Sequence, residues 1–147
     1  MSLPPGKRDR ILLAVGGRED AEAAIRFFEK KPFRTPVEVE VLTVLQEGKP
    51  AWAEKISDTE SLKEMLVRSA QRFVEDVAAK LSLVQCCAIP ATRPGAPAPT
   101  ILQYASEINP DLILMGSHRR KGLSRFLLGS VAHSVLHSLR YPVLIFR

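Results

Sequence analysis

The sequence is poor in cysteine, in aromatics and in long apolar runs. Its two cysteines, Cys86 and Cys87, are adjacent. Neighbouring side chains of a strand point to opposite faces, which does not suit a disulfide between them. No C-x-x-C and no nearby histidine accompanies them, so the common zinc spacings are missing. They read as reduced strand residues. Aromatics make up 6% of the chain, and none interleaves with Arg119, Arg120 and Lys121. A nucleic-acid face combines broad positive charge with aromatics, and that class is set aside. No apolar run approaches the ~20 residues of a membrane span. The first ten residues hold no apolar signal core, so no secretion signal and a cytoplasmic location are expected. Acidic residues are missing after Asp111: residues 112–147 hold six Lys/Arg and no Asp or Glu. No Ser/His/Asp or Cys/His set emerges, and no magnesium ligand is evident, so the parts that phosphoryl transfer needs are lacking.

What is present is one domain's worth of chain, 147 residues that are 46% hydrophobic and 25% charged. That is enough to bury a core. Residues 11–15 form a continuous apolar run ended by Gly16 and Gly17, which predicts a strand buried on both faces. Asp20 offers a helix start, and Ala21, Ala24, Ile25 and Phe28 supply one helical stripe. Val37–Leu45 reads as a second strand. Ser57 and Glu60 match a capping box, and Leu62, Leu66, Ala70, Phe73, Val77 and Leu81 mark a long helix. Residues 83–89 predict a third strand and residues 93–99 a proline-rich loop. Pro99 suits a first helical turn, and Ile101, Leu102, Ala105 and Ile108 continue it until Asn109-Pro110. A fourth strand over 112–115 leads into glycines and cations, then a helix opening at Gly129-Ser130 and a last strand, 142–146. Alternating strands and helices imply one parallel sheet covered on both faces. Ligands of such sheets sit at the carboxyl ends of the strands. Glycines, cations and a helix start after the fourth strand suit an anion there.

Residues 11–17, 94–97, 111–118, 122–131 and 141–145 together resemble the universal stress protein (UspA-like) family, over nearly the whole chain. The resemblance implies a tail of residues 1–9 and a single domain over 10–147. The implied fold is an open five-stranded parallel sheet with helices on both faces, Rossmann-like and similar to adenine nucleotide alpha hydrolases. It implies a binding or regulatory role rather than an enzyme, and a homodimer through the last strand, Val143–Phe146. Members that bind ATP carry G-x2-G-x9-G-[S/T]. Here the pattern falls on Gly116, Arg119, Gly129 and Ser130, with spacing intact and arginine in place of the second glycine. The residues implied for an ATP or AMP site are Gly16, Val44, Gly116, Ser117, His118, Arg119, Gly129, Ser130 and Val131. Val44 stands where the family's second strand offers backbone groups to adenine. Gly16 stands where the first strand usually ends in an aspartate that touches the nucleoside, and Arg18 where a serine is common. One lost charge-assisted hydrogen bond weakens binding roughly 10- to 150-fold. Restoring it by Gly16→Asp together with Arg119→Gly is therefore expected to strengthen binding. The arginine itself is a good phosphate partner.

Two readings stay open on the sequence: a nucleotide-binding regulator, and a dimeric interaction module of the same family that binds no nucleotide. A third, an enzyme on adenylated substrates, rests on a faint likeness of residues 16–20 to a pyrophosphatase loop whose serines are missing. His133 and His137 have the i, i+4 spacing of zinc ligands, yet no carboxylate follows them, and they read as solvated or interface histidines without a metal. His118 reads as capping its turn.

Overall fold

The computed structural model describes residues 8–33, 36–46, 53–84, 86–116, 129–138 and 140–146. The apolar run behind Arg10 becomes β1 (Asp9–Ala14), followed by α1 (Arg18–Glu29), β2 (Val37–Leu45) and α2 (Thr59–Ser82). Then come β3 (Cys86–Pro94), α3 (Pro97–Ile108), β4 (Leu112–Gly116), α4 (Ser130–His137) and β5 (Val143–Phe146). All strand pairs are parallel, in the order β3-β2-β1-β4-β5. The fold class expected from the alternating pattern is the fold observed.

The period of two along β1 explains its unbroken apolar run. Ile11, Leu13 and Val15 belong to a core shared with α1 and α2, whereas Leu12 and Ala14 pack with α3 and α4. Both faces are covered, so both sets must be apolar. The strand order turns at β1: the chain steps to one side through β2 and β3, and to the other through β4 and β5. The crest between β1 and β4 is thus the switch point. At its opposite end β4 is held by a reciprocal pair: Arg10 N–H donates to the Asp111 carboxylate at 2.8 Å, and Asp111 N–H donates to the Arg10 carbonyl at 2.8 Å.

Several boundaries differ from the sequence reading. Helix α1 starts at Arg18, with Gly17 as N-cap, so Asp20 is its third residue and not its cap. Helix α2 is capped by Asp58, whose carboxylate accepts from Ser61 N–H at 3.1 Å, rather than by Ser57. The third strand begins at Cys86, not Leu83, because the buried stripe Val77, Ala78, Leu81 carries α2 to Ser82. Leu83 is left in the turn at 85% exposure. That strand also runs on through Arg93 and Pro94, which pair with Val44 and Leu45. Pro94 reads as loop and Pro90 lies just past the expected strand, but β3 is an edge strand, where a missing N–H is tolerated. Helix α3 opens at Pro97, and Pro99 lies in its first turn as read, where a missing N–H breaks no intrahelical bond.

Candidate functional site

The carboxyl ends of β1, β2 and β4 meet α3 and α4 around a cleft of about 220 Å³. Its apolar wall is Leu42 and Val44 from β2 and Ile101 from α3. Its floor is Ala14, Val15 and Gly16 after β1, with Met115 and Gly116 ending β4. Its remaining side is Gly129, Ser130 and Val131 at the start of α4. The first bond of α4 runs from His133 N–H to the Gly129 carbonyl at 3.0 Å, and among the described residues no side chain caps this end, the N-cap being Gly129. The N–H groups of its first turn are left without intrahelical partners, and the helix dipole adds partial positive charge there. An apolar wall beside an uncapped helix start suits a ligand with a flat apolar part and an anionic part.

Six of the nine residues named from the sequence line this one cleft: Gly16, Val44, Gly116, Gly129, Ser130 and Val131. Ser117, His118 and Arg119 lie outside the described residues. Asp20 was missed, although it lines the same cleft. Its carboxylate Oδ2 accepts from Gly16 N–H at 3.3 Å and stands 3.4 Å from where a Cβ of residue 16 would lie. The expectation that position 16 leaves this end without a carboxylate is therefore corrected. The group arrives from α1, four residues on. An acid in the first turn of a helix was the available signal, but its reach across the crest was not.

His133 and His137 are exposed on α4, with ring centroids 4.2 Å apart and edge to face. Among the described residues no group of three His, Cys, Asp or Glu side chains could hold a metal ion. No described helix is long and apolar enough to cross a membrane. Cys87 is a free, exposed thiol.

The model of the universal stress protein family matches residues 7–147. The chain belongs to the universal stress protein family. Among solved universal stress proteins, the structure of protein MJ0577 from Methanocaldococcus jannaschii is similar over 93% of this chain and 94% of that one. Its identity is 28% and its TM-score 0.77. Universal stress protein A homolog 2 of Coxiella burnetii is 33% identical over 86 residues, 58% of this chain and 57% of that protein. Matches to curated family members span between 17% and 57% of their lengths. The family fold is also shared with the universal stress protein from Archaeoglobus fulgidus solved in complex with dAMP. That likeness covers 96% of this chain and 98% of that one, at 20% identity and a TM-score of 0.61.

Proposed function

We propose that the protein is a nucleotide-binding universal stress protein that holds ATP or AMP in the cleft and acts by binding, not by catalysis. The observation that carries this is the shared cleft: an apolar wall of Leu42, Val44 and Ile101 faces the uncapped start of α4 across glycines. The wall suits an adenine ring, and Val44 borders it from β2. Gly116 leaves room over its backbone for the Asp20 carboxylate, and Gly129, Ser130 and Val131 supply N–H groups to a phosphate. Ser117, His118 and Arg119 complete the phosphate side in this reading. The volume lies below the ~300 Å³ at which most small-ligand pockets begin. It suits a nucleoside, with the phosphates extending past α4. The dAMP complex of a protein with the same fold supports the choice of ligand class. Calorimetric titration with ATP and AMP, without metal and with magnesium, tests it. Saturable heat and a rise in Tm are expected. No heat and no rise at millimolar ATP overturns it.

A homodimer through β5 belongs to the same proposal. Among the described residues β5 pairs only with β4, and Leu144 on it is 39% exposed. An apolar edge strand left open is an aggregation hazard, and pairing with a second copy removes it.

A further inference from the structure

One side chain spans the switch point from outside the strands that form it. Asp20 projects from the first turn of α1 across the end of β1 to the end of β4. Its Oδ2 accepts from Gly16 N–H at 3.3 Å. Its Oδ1 is the atom nearest to where a Cβ on Gly116 would lie, and its Cγ stands 2.9 Å from that point. Gly116 thus gives the carboxylate its place. Asp20 is half-buried and lines the cleft. Among the described residues it has no ion pair, and Oδ1 accepts no hydrogen bond. A carboxylate offers about four acceptor positions, and the described residues fill one. Stabilising the start of α1 accounts for Oδ2 on Gly16 but not for Oδ1 laid over Gly116, on the far side of the crest.

We propose that Asp20 reads the sugar: its Oδ1 accepts a hydrogen bond from a ribose hydroxyl of the bound nucleotide. This rests on the nucleotide reading of the cleft. The order of groups along the cleft assigns the role. In the strand order β2-β1-β4, the lining residues Leu42 and Val44 come from β2, Gly16 follows β1 and Gly116 ends β4, with Gly129 and Ser130 opening α4 after it. Asp20 stands over Gly16 and Gly116 between them, where the middle of a nucleotide lies. A carboxylate accepts only, so it selects a donor such as a hydroxyl and repels phosphate. It thereby also turns the phosphates toward α4. A charged acceptor makes the stronger kind of hydrogen bond.

The test is calorimetric titration of the wild-type chain, Asp20→Asn and Asp20→Ala with ATP, 2′-deoxy-ATP and 3′-deoxy-ATP. Wild type is expected to bind ATP about tenfold or more tightly than at least one deoxy analogue, the scale of one hydrogen bond to a charged group. Both variants are expected to lose that preference, with ATP falling to the affinity of the analogue. Asp20→Asn keeps an acceptor for Gly16 N–H, so it answers the question even where Asp20→Ala destabilises α1. A helix-stabilising role alone lowers Tm but leaves the ATP to deoxy-ATP ratio unchanged. An unchanged ratio in Asp20→Asn, or a wild type that binds ATP without discriminating, overturns the inference and leaves nucleotide binding standing. A wild type that binds none of the three overturns both.

Discussion

At the scale of single residues, the two glycines of the crest differ in what they tolerate. A Cβ on Gly16 meets Asp20 Oδ2 at 3.4 Å, an ordinary contact, whereas one on Gly116 runs into the Asp20 carboxylate. Gly16→Ala is expected to hold or slightly raise Tm, since alanine narrows the unfolded ensemble. Gly116→Ala must push Asp20 off its position, and is expected to cost about 1 kcal/mol, the scale of an off-rotamer side chain. Thermal melts of both variants check the contrast. Gly16→Asp, which the sequence recommends together with Arg119→Gly as a gain in affinity, is now expected on its own to lower Tm and to bring no tighter ATP binding. It sets a second carboxylate against Asp20, and like charges in contact are unfavourable. The glycines were legible because spacing and motif mark them. Asp20 was not, because its role depends on a contact with Gly116, far away in the sequence.

Tyr104 of α3 ties that helix to β2 through Glu40. Its hydroxyl donates to Glu40 at 2.8 Å, and Arg93 lies over its ring at 4.9 Å. Burial, then the hydrogen bond to the Glu40 carboxylate, pushes its pKa up to about 12 from the usual 10. The folded state therefore keeps the proton longer than the unfolded chain. The stability this gives is complete below pH 10 and is lost as pH rises from 10 to about 12. Denaturant melts across that range are expected to fall off steeply for the wild type. For Tyr104→Phe the fall should be shallower, and equal slopes would refute the assignment.

At the scale of elements, ends decide more than interiors. Helix α3 stops at Asn109, which adopts φ 48° and donates its N–H to the Ala105 carbonyl at 2.7 Å. Asparagine tolerates the left-handed region and alanine does not. Asn109→Ala is expected to cost about 1–2 kcal/mol and Asn109→Gly almost nothing, read by chemical denaturation. Asp58 at the start of α2 has its pKa lowered by its hydrogen bonds with Ser61. Its share of stability is present at neutral pH and fades as pH falls through the folded value. Helix interiors were readable because a stripe such as Phe73, Val77, Leu81 repeats. The far end of β3 was not, since Pro90 and Pro94 carry turn signals that only an edge position neutralises. The cap of α2 slipped by one residue because Ser57 and Asp58 are both good caps.

At the scale of the whole molecule, the sheet's outer strands differ. The β5 side ends in Val143-Leu144-Ile145-Phe146, with Phe146 turned inward onto Phe27 at 6.3 Å. Light scattering at micromolar concentration is expected to give the mass of a dimer. Leu144→Lys is expected to give that of a monomer with Tm little changed, because the side chain is 39% exposed. A monomeric wild type refutes the β5 interface.

The prolines of β3 then acquire a meaning for assembly. Pro90 and Pro94 break the row of donors on that rim, so another strand finds no continuous ladder to join. The molecule has one rim that can be extended and one that cannot. Two such bodies joined at their extendable rims present only blocked ones, and growth stops at two. On the proposed β5 pairing the chain is monovalent, and assembly is expected to stop at the dimer rather than run on to polymers.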